Sequence, residues 1–281
     1  MDAWRLSLLG GFELRTAAGS PVVLTTRKAM ALLVHLALRP DHTQSRDKLA
    51  ALFWEDSPGI QARSSLRQVI AALRRLPAGD GPPLLLAEGE MLALASGCVK
   101  TDVAAFERAV AEGMATGSVD AQDRALDLYR GDLFDGVPLR APTFDDWLMA
   151  ERQRLRELAL STMTRRLDAA LEAGTTETGV RTALRILALD PLQEPAHQAL
   201  MQLYARQGRY AAALKQYQTC RSLLERELGV LPEPGTERLF REVRDRRRAR
   251  DGPTSTAPPA LGEPRSDIAP SGNEEPDTPT V

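Results

Sequence analysis

The fold that this sequence predicts is inferred chiefly from one basic stretch, Arg63-Ser64-Ser65-Leu66-Arg67-Gln68-Val69-Ile70-Ala71-Ala72-Leu73-Arg74-Arg75-Leu76. It carries four arginines and no acidic residue, in a chain whose formal net charge is −2. On an α-helix, successive residues are rotated by about 100°, so the apolar residues of the stretch gather in one sector. The stretch therefore predicts an amphipathic helix whose buried face holds Leu66, Val69, Ile70, Leu73 and Leu76.

The opposite face of this helix carries small, polar and cationic side chains, which suit a DNA major groove. We predict that Ser64, Arg67 and Gln68 contact base edges. A solvated basic face on an ordinary helix is the alternative reading of the stretch taken alone. Phosphate contacts are predicted for three basic residues beside this face, Arg63, Arg74 and Arg75. They are also predicted for four basic residues near two other helix starts, which are explained equally well as ordinary surface charges: Arg27, Lys28, Arg46 and Lys48.

The segments before this helix predict a small sheet and two further helices. Loose alternation over 4–16 and the short apolar run 22–24 predict an antiparallel sheet. A helix over 27–38 follows, with Thr25 or Thr26 as its N-cap. Ser45 is the predicted N-cap of a second, short helix, which ends before the turn 55–59. Two helices joined by a short turn, the second basic, form a helix-turn-helix.

A Pro- and Gly-rich segment that ends the helix, 77–83, and a predicted hairpin follow the basic helix. The apolar runs 84–87 and 91–94 flank Glu88-Gly89-Glu90, which is typical of two paired strands. Sheet, three helices and hairpin is the order of a winged helix-turn-helix with an added N-terminal sheet. The acidic wing tip predicts little phosphate contact, so we expect weak DNA binding by one protomer and by a fragment of residues 1–98.

From residue 102 onward the sequence predicts seven helices separated by short breaks. Gly174 and Gly208 lie 34 residues apart, the period of the tetratricopeptide repeat, and residues 203–217 follow the residue order of that repeat. A plain helical bundle is the alternative. The predicted helices cover 102–112, 120–129, 144–172, 178–189, 194–207, 210–227 and 234–248.

Composition supports a mainly α protein of two domains. The chain has 281 residues, 43% hydrophobic and 5% aromatic. Residues 1–100 hold 12 basic and 9 acidic residues, whereas 251–281 hold 1 basic and 6 acidic ones. The Pro-rich segment 250–281 has no apolar periodicity and predicts a disordered tail.

Several function classes find no support in the sequence. Cys98 and Cys220 are too far apart and too few for a disulfide framework or a zinc site. His35 is predicted to pack on the first helix and His197 between helices. No phosphate-binding loop, nucleophile elbow or zinc-protease motif is present, so we predict no enzyme, no metal and no cofactor. The apolar run 29–38 is far too short to span a bilayer, and we expect no membrane association and a cytoplasmic protein.

Three segments carry a family resemblance: Leu128-Tyr129-Arg130-Gly131-Asp132-Leu133, Ala188-Leu189-Asp190-Pro191-Leu192-Gln193-Glu194-Pro195-Ala196-His197 and Glu227-Leu228-Gly229-Val230-Leu231-Pro232-Glu233-Pro234. They resemble the bacterial transcriptional activator domain. That domain follows an OmpR-like winged helix in the Streptomyces antibiotic regulatory protein family, and the resemblance covers about residues 1–245.

The resemblance implies a transcription activator that dimerises as a homodimer on promoter repeats in double-stranded DNA and contacts RNA polymerase. It divides the chain into a DNA-binding domain (1–98), a tetratricopeptide-like activator domain (99–249) and a tail (250–281). The polymerase-facing loop of such winged helices matches Trp54, Glu55, Asp56 and Ser57. The acidic wing departs from the family pattern, and the nucleotide-binding domain of larger relatives is absent from this sequence.

A different class of function stays open beside this one. The helical repeat could serve as a protein-interaction or ligand-sensing module, with the winged helix serving assembly, because winged helices also bind proteins. Salt-sensitive, sequence-selective DNA binding distinguishes the two.

Overall fold

The computed structural model describes residues 3–76, 83–95 and 97–252, and this part of the chain is mainly helical, as predicted. Most of the Pro- and Gly-rich segment 77–83 and the predicted tail from residue 253 lie outside the described residues. The last helix continues to Asp251, so residues 250 and 251 are helical and the prediction of disorder was wrong for these two.

A four-stranded sheet opens the chain. Its order is β3 (Pro21–Val22), β2 (Glu13–Arg15), β1 (Trp4–Ser7) and β7 (Val99–Thr101). The first three strands are antiparallel, as predicted. Strand β7, which the sequence did not predict, pairs with β1 in parallel and extends this sheet. Three residues are too few to show alternation, and the packing of the surrounding chain brings them to β1.

Three helices follow, and local capping explains where two of them begin. Helix α1 (Arg27–Leu38) begins after Thr26, whose hydroxyl accepts a hydrogen bond from the backbone N–H of Ala29. Helix α2 (Arg46–Phe53) begins after Ser45, whose hydroxyl accepts from the N–H of Lys48. Helix α3 (Gly59–Arg74) begins at the last residue of the predicted turn 55–59, four residues before Arg63.

The predicted hairpin is present and belongs to a second sheet. Strands β5 (Leu85–Glu88) and β6 (Met91–Leu94) pair antiparallel across a turn in which Gly89 has φ 54°. A strand that the sequence did not predict, β4 (Thr43–Ser45), pairs with β6 on its other side. The hairpin is therefore anchored directly to the start of α2.

The rest of the described chain is a succession of helices, each packed on the next. Gly208, with φ 71°, makes the turn between the two helices of the predicted repeat, and Ala213 and Tyr217 are buried behind it. The last helix packs on the two before it, which closes this end of the array. The helices are α4 (Asp102–Thr116), α5 (Val119–Leu128), α6 (Pro142–Glu172), α7 (Thr176–Leu189), α8 (Glu194–Arg206), α9 (Tyr210–Leu228) and α10 (Pro234–Asp251).

One apolar core runs through both halves of the chain. The cluster that contains Trp4, Leu33 and Leu66 continues without interruption to Phe144 and Leu203. A smaller cluster lies between α8, α9 and α10. The helices α1 to α3 are therefore fixed by the same core that holds α4 to α8.

Candidate nucleic-acid interface

Helix α3 has one buried and one exposed face, as its sequence predicts. Leu66, Ile70 and Leu73 are buried, together with Ala62. Arg67 and Gln68 are exposed, and Ser64 is half-buried beside them. The three predicted base-edge residues therefore lie on one surface of the molecule, away from the core.

The arginines of α3 differ in their surroundings. Arg74 and Arg75 are exposed at the end of the helix, and no described residue forms an ion pair or side-chain hydrogen bond with them. Arg63 is exposed in the first half of the helix, where its Nε donates to Asp47 Oδ1 at 2.8 Å. The hydrogen bond to this carboxylate, and its charge, raise the pKa of Arg63 above its usual value.

Two predicted phosphate contacts near the start of α1 have partners within the protein. Lys28 Nζ donates to the carbonyl of Phe53 at 2.5 Å and lies 4.5 Å from the ring centroid of Trp54. Burial lowers the pKa of Lys28. Arg27 Nη1 donates to the carbonyl of Pro138 at 3.3 Å. Both cations thus help to fix neighbouring segments of the chain.

The start of α2 lies next to the turn of the β5–β6 hairpin. The backbone N–H of Arg46 donates to the carbonyl of Glu90 at 2.9 Å, while its Nε is buried without a hydrogen-bond partner among the described residues. Lys48 is exposed in the first turn of α2. Glu88 and Glu90 are both exposed, so the tip of the hairpin presents negative charge toward solvent.

The predicted polymerase-facing loop connects α2 and α3 at the surface. Trp54 is half-buried against Phe53, with the ring centroids 6.1 Å apart, and its carbonyl accepts from the N–H of Ser57. Glu55 accepts a hydrogen bond from the hydroxyl of Thr143 in α6. Asp56 is exposed. One side of the loop is thus tied to the second half of the chain, and the other side is open.

A buried aromatic cluster, which the sequence analysis missed, joins the two halves behind this loop. The ring of Phe144 lies 5.1 Å from Phe53 and 5.3 Å from Trp147. His35 packs edge-on against Trp147 at 4.6 Å. No local pattern signals this contact, since its residues come from α1, α2 and α6.

The segment between α5 and α6 completes the junction. The N–H of Phe134 donates to the carbonyl of Leu8 at 2.8 Å, and Gly10 donates to the carbonyl of Asp132 at 3.0 Å. The guanidinium of Arg152 holds the carbonyls of Leu133 and Phe134 from the other side. The first of the three segments that carry the family resemblance, 128–133, therefore lies at the contact between the two halves.

Within residues 3–76, 83–95 and 97–252, no helix is long and apolar enough to cross a bilayer. The same residues include no group of three or more histidine, cysteine or acidic side chains arranged to hold a metal ion.

Comparison with known proteins gives a consistent family assignment. A model of the bacterial transcriptional activator domain matches residues 98–244. The chain is 33% identical over 235 residues to the regulatory protein AfsR of Streptomyces coelicolor, an alignment that covers 81% of this chain and 22% of AfsR. It is 30% identical over 252 residues to the transcriptional regulatory protein MoaR1 of Mycobacterium tuberculosis, covering 86% of this chain and 79% of MoaR1.

The fold has a solved counterpart. Mycobacterium tuberculosis EmbR, in complex with a low-affinity phosphopeptide, superposes with a TM-score of 0.67 at 23% identity, over 88% of this chain and 66% of that chain. The chain spans less than a quarter of the length of the AfsR protein that it matches. The domain match and the similarity to MoaR1 along most of its length show that the chain belongs to the Streptomyces antibiotic regulatory protein family.

Proposed function

We propose that this protein is a sequence-specific DNA-binding transcription regulator. In this proposal residues 1–98 form a winged helix-turn-helix, with α3 as recognition helix and β5–β6 as wing, and residues 99–249 form a tetratricopeptide-like activator domain. Strand β7 then belongs to the second domain by sequence and completes the sheet of the first.

The exposed face of α3 is the observation that carries the proposal. Its apolar side is fixed in the core, so Ser64, Arg67 and Gln68 are presented on a rigid element rather than on a loop. Hydroxyl, amide and guanidinium groups in this arrangement match the donors and acceptors of base edges in a major groove. Arg74 and Arg75 at the helix end reach the flanking phosphates.

The experiment measures binding of fluorescent upstream DNA, taken from the protein's own genomic neighbourhood, by anisotropy at several salt concentrations. Replacing both Arg67 and Gln68 by alanine is expected to weaken specific binding by at least tenfold, since each good base contact contributes about 1–3 kcal/mol. Arg165→Ala, which removes an exposed arginine of α6, is the matched control. Unchanged affinity and sequence preference in the double variant contradict the assignment of Arg67 and Gln68 to base contacts. If the wild type shows no salt-sensitive DNA binding, the result favours the alternative in which the helical repeat is a protein-interaction or ligand-sensing module.

We further propose that two protomers pair on repeated promoter sites. The acidic wing tip leaves α3 and neighbouring helix starts to neutralise phosphates, and two of the cations there, Arg27 and Lys28, already have protein partners. One protomer therefore makes few phosphate contacts. DNA with two copies of the site is expected to bind far more tightly than DNA with one, at a stoichiometry of two chains. Equal affinity for the two DNAs contradicts pairing.

The loop Trp54–Ser57 is the proposed contact to RNA polymerase. Asp56 is its exposed charge, whereas Glu55 is held by Thr143. In transcription assays with purified polymerase, Asp56→Ala is expected to lower transcript yield several-fold while leaving DNA binding intact. Asp120→Ala, an exposed acid in α5, is the control. If Asp56→Ala gives the same transcript yield as the wild type, Asp56 does not contact the polymerase.

A further inference from the structure

The ion pair between Asp47 and Arg63 joins the first turn of α2 to the first half of α3. The Arg63 Nε and Asp47 Oδ1 atoms are 2.8 Å apart, and the two side chains are 60% and 62% exposed. An exposed ion pair of this kind contributes little to the free energy of folding. What the contact does fix is the direction in which the guanidinium group points.

The contact leaves most of the guanidinium available to a ligand. Arginine presents five N–H groups in a planar fork, and Asp47 accepts the one on Nε. Within the described residues, neither Nη atom of Arg63 has a hydrogen-bond acceptor. Two coplanar donors on a fixed plane match the paired acceptors O6 and N7 of guanine in the major groove. Adenine places a donor beside N7 and does not match.

The position of Arg63 along α3 favours a base over a phosphate. The first half of a recognition helix contacts base edges, whereas Arg74 and Arg75 lie at its other end. Arg67 lies one turn after Arg63, and its Nε approaches the Arg63 carbonyl at 3.4 Å. The sequence alone assigned Arg63 to phosphates, because it does not show the carboxylate that orients the side chain.

A second acid near Arg63 provides a natural comparison. Glu90, at the wing turn, lines the same shallow pocket as Asp47, Arg63 and Arg67. It raises the pKa of Arg63 through its charge and forms no hydrogen bond with the guanidinium. Removing the charge of Glu90 therefore changes the local electrostatics without releasing the side chain.

We propose that Asp47 is a positioning residue that holds Arg63 for bidentate recognition of a guanine in the DNA major groove. This inference rests on the proposed DNA-binding function. Asp47 itself touches no base. It restricts the rotation of Arg63 and leaves the two Nη groups without an acceptor among the described residues.

The test selects preferred sites from randomised DNA with the wild type, Asp47→Ala, Arg63→Ala and Glu90→Gln. The wild type is expected to prefer guanine at one position of each site, and 7-deazaguanine there is expected to weaken its binding roughly tenfold. Arg63→Ala and Asp47→Ala are expected to lose that preference while keeping preferences elsewhere in the site. Glu90→Gln keeps the guanine preference. In an Arg63→Ala background, Asp47→Ala is expected to add no further loss.

Two results overturn the inference. If Asp47→Ala and Glu90→Gln both tighten binding to every sequence and both keep the guanine preference, Asp47 acts through its charge alone. If Arg63→Ala keeps the full preference of the wild type, Arg63 does not read a base. A wild type without any sequence preference overturns the proposed function itself, which separates that failure from the two above.

Discussion

His35 and Asp102 are buried ionisable side chains with opposite surroundings. Both ring nitrogens of His35 lack a hydrogen-bond partner among the described residues, and the ring packs between Phe53 and Trp147. The carboxylate of Asp102 accepts from the N–H groups of Leu8 and Leu9 at 2.9 and 3.0 Å. The histidine costs stability when it is charged, whereas the aspartate stabilises the fold by satisfying buried donors.

The first prediction concerns pH and His35. Burial, and then the charge of Arg39, lower the pKa of His35 to about 4 from 6.5. Because the folded state disfavours protonation, stability is lost as the pH falls through 6.5 toward 4. Between pH 7.5 and pH 5, His35 is expected to cost about 2 kcal/mol of unfolding free energy. Urea unfolding of the wild type and His35→Phe at both pH values measures this difference.

His197 sets the background of that measurement, because burial lowers its pKa as well. The His35→Phe variant therefore keeps part of the pH dependence. An equal loss of stability on acidification in the variant and the wild type excludes His35 as its source.

The second prediction concerns Asp102, which ties Leu8 and Leu9, the residues after strand β1, to the start of α4. Asp102→Ala leaves two buried backbone N–H groups without an acceptor and is expected to lower the unfolding free energy by about 2–4 kcal/mol. Asp120→Ala, which removes an exposed acid from the first turn of α5, is the control and is expected to change stability by less than about 1 kcal/mol. Equal effects of the two variants on the urea midpoint contradict the role given to Asp102.

At the scale of elements, helix α10 is held by a side-chain network from α8. Thr236 is fully buried; its hydroxyl donates to Glu194 and accepts from Gln198 Nε2 at 2.6 Å. The same carboxylate accepts from the backbone N–H of Glu233 at 2.7 Å. The N-cap residue Glu233 makes no side-chain capping bond, and a carboxylate distant in sequence instead accepts from its backbone N–H.

The third prediction concerns this joint. Thr236→Val keeps the side-chain shape but leaves Glu194 and Gln198 without their shared partner, and is expected to destabilise the helix by about 1–3 kcal/mol. Hydrogen exchange read by mass spectrometry is expected to show faster exchange in 234–251 and unchanged exchange in α1–α3. The control is Thr219→Val, an exposed position of α9. A uniform rise in exchange along the whole chain contradicts a local joint.

The segment 130–138 shows how a motif is fixed by its neighbours. Arg185 donates to the carbonyls of Leu126 and Tyr129, while Arg156 pairs with Asp132 at 2.5 Å. A Cβ atom at Gly131 would lie 3.1 Å from the Cα of Gly10, so two glycines permit the close approach of the backbones. The sequence predicted a break between two helices here, and the contacts of that segment make it part of the junction.

At the scale of the whole molecule, the two halves share one core, which bears on the fragment test. A fragment of residues 1–98 lacks β7, Phe144, which packs on Phe53, and Trp147, which packs on His35. It exposes part of the core, so its weaker binding would reflect loss of folding as well as loss of pairing. Pairing is better tested in the full chain with one or two DNA sites.

The fourth prediction concerns unfolding as one unit. The three tryptophans, Trp4, Trp54 and Trp147, report on the first half and the junction, whereas helical circular dichroism is dominated by α4–α10. The two signals are expected to unfold together in the wild type. Phe144→Ala, which removes a fully buried ring, is expected to cost about 3–5 kcal/mol and to separate the two transitions.

The comparison variant is Met149→Ala, since Met149 lies on the same helix and is 68% exposed. Two separate transitions in the wild type, or coincident ones in Phe144→Ala, contradict a junction that couples the halves.

Local sequence patterns account for the helices and their faces, because those depend on neighbours within a few residues. Thr26 and Ser45 cap where predicted, and Leu66, Ile70 and Leu73 are buried as their spacing indicates. The hairpin also followed from its local turn. The proposed roles of Arg67 and Gln68 in DNA contact follow from the same local pattern and stay predictions.

The tertiary structure alone decided which distant segments meet. The parallel pairing of β7, the bond from Leu8 to Asp102 across 94 residues and the contact of Glu55 with Thr143 across 88 leave no local signal. The same holds for Asp47 beside Arg63, since a carboxylate orients a guanidinium only after two helices have packed. Local chemistry thus fixed the elements, and the shared core fixed their junction.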